Sequence, residues 1–183
     1  VIEVEMVLDL DIKLYDEQNI ELITDVYSLK NRLIPVVDNA SYDNLLIRNH
    51  VRCRIGDKFK QGMGREKILQ IIDSSAAVHT DNISIVEDGL MVEGAVKVNI
   101  LYISDNDDDR LGSFTRDLPF SQKIDAPGIQ YNAFYTVRTG VEQLITTMPG
   151  GDEFEIKLNI GMDALILSPG STQVITDITS EEL

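Results

Sequence analysis

The tightest constraint on the fold of this chain is the parity of its side chains across residues 90–103. Val92, Val96, Val98, Ile100 and Tyr102 share one parity, while Glu93, Lys97 and Asn99 share the other. Successive side chains of a strand point to opposite faces, so a strand places the apolar row against a core and leaves the charges in water. A helical winding of the same residues would scatter Glu93 and Lys97 among the valines. The neighbouring segments are built to pair with it. Ile83-Ser84-Ile85-Val86 reaches it through Glu87-Asp88-Gly89, in which Asp-Gly supplies a positive-φ position for a tight hairpin. Downstream, a polar run over 104–110 leads to Phe114-Thr115-Arg116-Asp117-Leu118-Pro119-Phe120, again alternating. Three antiparallel strands are predicted from local sequence alone.

The remainder of the chain reads in the same terms. Ile2, Val4, Met6, Leu8, Leu10, Ile12 and Leu14 lie on one side of a predicted strand over 2–15, Asp16-Glu17-Gln18-Asn19 reads as a turn, and 20–27 returns as a second strand. Near the other end, Ile175-Thr176-Asp177-Ile178 repeats Ile23-Thr24-Asp25-Val26 at an offset of 152 residues. The same offset lays Ile156, Leu158, Ile160 and Met162 on Val4, Met6, Leu8 and Leu10, and the turn-like Ser168-Pro169-Gly170-Ser171 on residues 16–19. This pattern predicts a tandem repeat whose first copy is truncated. Residues 1–28 are then the closing hairpin of a preceding module, 29–49 a connector and 50–183 a complete β domain. The lack of an initiator Met agrees with a segment cut from a longer protein.

Pro35 argues against a continuous helix in the connector, where one short helical turn is the most regular structure expected. Residues 51–55 read as a short strand, 56–64 as a basic, Gly-bearing loop, and 65–75 as a helical turn or a strand, with strand preferred. Asp125-Ala126-Pro127-Gly128 is a turn, 131–147 one or two strands broken near Gly140, and Met148-Pro149-Gly150-Gly151 the turn into a final hairpin. Strands at short spacing with no long helical pattern indicate an all-β fold, an antiparallel β-sandwich or barrel-like module built from hairpins.

Thirty-one acidic against sixteen basic residues give a net charge of −15, which repels phosphate backbones and makes nucleic acid a poor partner. No apolar run reaches the roughly 18 residues of a membrane span. Catalytic and metal-ligating patterns are nearly absent. His79 sits in Val78-His79-Thr80-Asp81, read as a strand ending in a polar turn, and His50 lies between Arg48 and Arg52; neither has a second histidine or a cysteine at metal-ligand spacing. Gly62-Met63-Gly64 lacks the other glycines of a phosphate or dinucleotide loop. Cys53, the single cysteine, excludes an intrachain disulfide; the arginines beside it, Arg52 and Arg54, point to the opposite face of a strand, so a structural thiol is favoured over a reactive one.

Asp105-Asn106-Asp107-Asp108-Asp109 invites a calcium reading, but Arg110 and Arg116 occupy the loop positions where an EF-hand needs glycine and glutamate. A solvated hairpin tip is favoured. The sequons Asn39-Ala40-Ser41 and Asn82-Ile83-Ser84 matter only in a glycosylating cell. Tryptophan is absent and the six tyrosines do not cluster in sequence, so no aromatic strip for sugar stacking is evident. No catalytic, cofactor-binding or metal residue is nominated, and no cofactor is expected.

Certain landmarks carry a resemblance. Lys67-Ile68-Leu69-Gln70-Ile71, residues 86–94 with their Glu87-Asp88-Gly89, Asn99-Ile100-Leu101-Tyr102-Ile103, Leu118-Pro119-Phe120-Ser121-Gln122 and Ala126-Pro127-Gly128 resemble, in order and spacing, the SPOCS domain family of spore-forming Firmicutes. The resemblance covers about residues 60–178. It implies a sporulation protein similar to SipL-like clostridial spore-coat morphogenetic proteins, which act in the mother-cell cytoplasm at the forespore surface. The implied partners are spore coat morphogenetic proteins, including the stage IV sporulation protein A ATPase through a LysM domain outside this segment, and copies of the chain itself. The expected function is a non-enzymatic scaffold for protein interaction; a module for cell-wall or spore polysaccharide is the alternative.

Overall fold

The computed structural model describes residues 3–10, 12, 14, 19–60, 67–106, 110–150 and 153–181. Among the described residues six strands are present: β1 (Arg32–Lys60), β2 (Ile68–Val86), β3 (Gly89–Ser104), β4 (Leu111–Asp125), β5 (Phe134–Gly150) and β6 (Glu153–Glu181). They form two three-stranded sheets, β1-β6-β5 and β2-β3-β4, and no helix occurs among the described residues. Two compact units divide the chain, Ser41–Gly170 and Val1–Ala40 with Ser171–Leu183, so β1 and β6 contribute to both.

Within Ser41–Gly170, the predicted three-stranded array is β2, β3 and β4, paired antiparallel with β3 in the centre. Val92, Val96, Val98 and Ile100 are buried while Glu93, Lys97 and Asn99 are exposed, as the parity requires. The β2–β3 hairpin closes on Val86↔Gly89, and its positive φ falls on Asp88 (52°) rather than on the glycine. Asp88 also ties down the turn after β4: its carbonyl accepts from Ala126 N at 2.9 Å and its Oδ1 from Gly128 N at 3.2 Å. The segment over 65–75, open between helix and strand, is strand from Ile68 onward.

The core is the meeting of the two inner faces. Leu90, Val92, Val96, Val98 and Ile100 of β3, with Leu118, Phe120 and Ile124 of β4, face Phe154, Ile156, Leu158, Ile160, Met162, Ala164 and Ile166 of β6, and Cys53 of β1 joins them. Each fully buried Val, Leu, Ile or Phe contributes about 1.5–3 kcal/mol.

Side chains close the seams between the sheets. On one side β5 meets β2, where Thr146 Oγ1 donates to Ser74 Oγ at 2.9 Å, the Thr80 and Thr139 hydroxyls lie 3.1 Å apart, and Tyr135 Oη donates to Ile83 O at 3.1 Å. On the other, β4 meets β1, where Arg116 Nε donates to Asp57 Oδ2 at 2.9 Å, the guanidinium lies 5.0 Å from the Phe59 ring centroid, and Phe59 packs edge-on against Phe114 at 5.2 Å. The result is two three-stranded sheets packed through their inner faces, the all-β sandwich or barrel-like class expected.

Several boundaries differ from the sequence reading. The predicted connector over 29–49 is largely the first half of β1, and the short strand at 51–55 is its continuation; the strand runs on to Lys60, while 61–66, with Gly62-Met63-Gly64, lies outside the described residues. Pro35 is tolerated because β1 borders its sheet and only one flank of the strand must bond. The predicted turn at Ser168-Pro169-Gly170-Ser171 lies inside β6. The last β5–β6 pair is Phe134↔Leu167, so Pro169 falls where β6 has left its β5 neighbour and its missing N–H costs no ladder bond there. Gly170 acts by its lack of a side chain: a Cβ there would stand 2.6 Å from the Tyr42 ring. β2 also does not end after His79 but continues through an irregularity between Thr80 and Asn82, and β5 is unbroken at Gly140.

In the unit formed by Val1–Ala40 and Ser171–Leu183, β1 and β6 lie side by side: Thr179 Oγ1 donates to Ile34 O at 3.3 Å and Thr176 Oγ1 to Asp38 Oδ2 at 3.1 Å. Residues 3–10 and 19–28 carry no strand, so the hairpin predicted over 1–28 has no ladder among the described residues; Asp16, Glu17 and Gln18 of its turn lie outside them. Alternation makes a strand only where a partner and a cover repay the entropy of extension. Val4 is 79% and Leu14 92% exposed.

Candidate functional site

Alternation on β1 has a consequence for charge. Val51, Cys53, Ile55 and Phe59 turn inward, so Arg48, His50, Arg52, Arg54 and Lys58 are all set on the outer face, with only Gly56 interrupting the row. Alternate residues of a strand stand about 6.6 Å apart, so this is an evenly spaced cationic row on a chain whose net charge is −15. Cys53 is buried between two of these arginines on the opposite face, and burial raises its thiol pKa, the behaviour of a core residue.

His50 is the best-connected member of the row. Its Nδ1 lies 2.7 Å from Asp163 Oδ1 on β6 and its Nε2 2.8 Å from Glu142 Oε1 on β5, while Arg52 Nε donates to the other Glu142 oxygen at 2.7 Å. The pairing of β5 with β6 shifts register between Val141 and Gln143, which leaves Glu142 outside the ladder. Its side chain then crosses β6 over Gly161, where a Cβ would stand 2.7 Å from Oε1. Sequence reasoning placed His50 near its arginines but not with either carboxylate, because Glu142 and Asp163 are 92 and 113 residues away and no local pattern encodes that meeting.

Carboxylates accept, so the doubly protonated ring of His50 is the form that satisfies both neighbours at once. Hydrogen bonds to Asp163 and Glu142 raise the His50 pKa above 6.5, and the bonds from Arg52 and His50 hold Glu142 below 4.5. The arrangement is an electrostatic clasp across three strands. Its stabilisation through His50 is complete below the unfolded pKa of 6.5 and fades as pH rises through the higher folded value; through Glu142 it is present above 4.5 and fades as pH falls through the lower folded value. An NMR titration is expected to show His50 deprotonating above its ordinary 6.5. Glu142→Gln is expected to lower the His50 value toward 6.5.

At the other end of the row, Lys58 and Lys157 both reach Glu155 Oε1 at 3.1 Å, and these bonds hold its pKa below 4.5. Between the two charge clusters lies a groove of about 360 Å³ lined by Arg54, Gly56, Gln143, Ile145, Lys157 and Asn159 among others. Asn159 Nδ2 donates to Gln143 Oε1 at 3.0 Å within this lining.

The acidic run lies only partly within the described residues, which exclude 107–109; Asp105 Oδ1 accepts from Lys67 N at 2.8 Å and its own N donates to Lys67 O at 2.9 Å, so it closes the β2–β3 end. Among the described residues no group of three or more His, Cys, Asp or Glu converges to hold a metal ion. Both sequon asparagines, Asn39 and Asn82, are exposed. Of the apolar residues whose cover the sequence left open, Leu29 is 96% and Phe134 66% exposed, Ile34 is 38% exposed and Leu33 half-buried.

Comparison with known proteins gives one family and no individual relative. No curated protein and no solved structure matches the chain. Residues 67–149 match the family model described as SipL, SPOCS domain, within the 60–178 span of the resemblance noted above. That segment holds β2, β3, β4 and nearly all of β5, leaving β1 and β6, and with them His50, Arg52, Arg54 and Asp163, outside the match. The match over residues 67–149 supports the assignment of this chain to the SPOCS domain family.

Proposed function

We propose that the chain is a non-enzymatic scaffold, a protein-interaction module in spore coat morphogenesis that works in the mother-cell cytoplasm at the forespore surface. The family supplies the sporulation setting. The observation that carries the interaction reading is the cationic row of Arg48, His50, Arg52, Arg54 and Lys58 on one outer sheet face of an acidic chain, which Glu142, Asp163 and Glu155 offset only in part and which favours acidic protein surfaces through complementarity. Its partners are spore coat morphogenetic proteins and further copies of the chain, with the stage IV sporulation protein A ATPase reached through a LysM domain outside this segment. The 152-residue offset supports reading 1–28 as the end of a preceding copy. The test is co-purification of coat morphogenetic proteins with the tagged chain from sporulating mother-cell lysate, beside the full-length protein. Capture of the same named coat proteins by both supports a direct role, and capture by the full-length protein alone places recognition elsewhere.

A polysaccharide reading has one observation in its favour. Tyr131 is 91% and Phe134 66% exposed, and exposed rings suit sugar stacking. Retention of the chain on cell-wall or spore glycan, abolished by Phe134→Ala, would support it.

A further inference from the structure

The row on β1 records how carboxylates dock on it. Asp163 and Glu142 occupy His50 and Arg52, and Glu155 occupies Lys58 together with Lys157 of β6. Arg54 stands between these filled positions, is exposed, and has no ion-pair partner among the described residues. The 360 Å³ groove opens at this position. Its other walls are Lys157, the side-chain amides of Gln143 and Asn159, and Ile145, which is 43% exposed.

We propose that this groove is a binding site for an extended acidic peptide segment of a partner protein, whose glutamate or aspartate carboxylate pairs with the Arg54 guanidinium. The proposal rests on the interaction-module reading and names the ligand for that face. A guanidinium presents two parallel N–H donors that match a carboxylate. Lys157 adds a second positive charge on the groove wall, shared with Glu155. The amides of Gln143 and Asn159 suit main-chain N–H and C=O groups, and Ile145 covers the methylene stem of an acidic side chain. An extended segment carrying acidic residues at alternate positions repeats at about the same 6.6 Å as the row itself. A phosphodiester or sulfated polymer would satisfy Arg54 but makes no use of the amides or the apolar wall, and the −15 net charge opposes a densely anionic chain.

The test titrates the whole chain with a synthetic capped hexapeptide bearing glutamate at alternate positions with threonine and valine between, followed by NMR and calorimetry at low and at physiological ionic strength. Binding is expected to shift the signals of Arg54, Gly56 and Ile145, to weaken with salt, and to weaken roughly fivefold or more in Arg54→Ala. Lys97→Ala, exposed on β3 of the other sheet, is expected to leave it unchanged. Arg54 is exposed, so both variants are expected to melt like the parent. Absence of binding, or equal binding by Arg54→Ala, overturns the site. Polyphosphate or a sulfated polysaccharide displacing the peptide at lower charge concentration, with the same dependence on Arg54, overturns the peptide assignment. Self-association lost in Arg54→Glu makes the occupant a second copy and overturns the partner assignment. If Arg54→Glu still captures the coat proteins, the groove fails while the module reading stands; if the parent chain captures none, the module reading itself fails.

Discussion

Replacing Phe154 with alanine is expected to lower the unfolding free energy by about 3–5 kcal/mol, measured as a fall in the urea midpoint at unchanged slope. Phe154 is 1% exposed and stands at the centre of an aromatic group drawn from β1, β3, β4 and β6: its ring stacks on Phe59 at 5.4 Å, meets Phe114 edge-on at 4.9 Å and faces Tyr102 at 6.4 Å. Truncation removes transfer energy, leaves a cavity, and dissolves ring pairs that contribute about 0.5–1.5 kcal/mol beyond their buried area. It also loosens the β4–β1 seam, where Phe59 and Phe114 meet under the Arg116 guanidinium. Phe154→Leu, which keeps most of the volume, is expected to cost about 1.5 kcal/mol or less. A small loss from Phe154→Ala would mean that the two sheets are not joined through this group.

The second large effect is expected at Gly94. A Cβ at this position would stand 2.2 Å from His79 O, 3.0 Å from Thr80 Cα and 3.0 Å from the Phe120 ring, and the first two are backbone atoms that cannot swing aside. Gly94 pairs with Thr80, beside the register shift between Thr80 and Asn82 that lets β2 press onto β3. Gly94→Ala must therefore push β2 away from β3, at a cost of about 1–3 kcal/mol or more. Gly140→Ala is the internal control. Nothing lies within 4 Å of its Cβ position and its φ is ordinary, so the same change there is expected to be neutral or to stabilise by about 0.5–1 kcal/mol through reduced freedom of the unfolded chain. Equal melting of the two variants would contradict the close approach.

What the sequence disclosed followed from period and turn chemistry, both local. The parity of 90–103 placed β3 and its inward row, Glu87-Asp88-Gly89 placed the hairpin, and residues 125–128 placed the turn after β4. Misplaced boundaries came where local signals are overruled by position in the sheet: Pro35 and Pro169 read as breaks, yet each falls where a strand has a flank that need not bond. Arg52 and Arg54 were correctly set opposite Cys53 by alternation. The continuation of that row to Arg48, His50 and Lys58 was hidden because β1 was divided into a connector, a short strand and a loop. The partners of His50 were illegible for a different reason, since a carboxylate displaced from the ladder on β5 reaches β1 only by crossing a glycine of β6.

The most direct test of the interaction account is site-specific photocrosslinking in sporulating mother cells, with the photoreactive side chain placed at Ile145, beside Arg54 on the outer face of β1-β6-β5, or at Lys97, on the outer face of β2-β3-β4. The account predicts a discrete crosslinked coat protein from position 145 that Arg54→Glu removes, and none from position 97. Crosslinking from position 97 alone, or a product at 145 indifferent to Arg54→Glu, would contradict it.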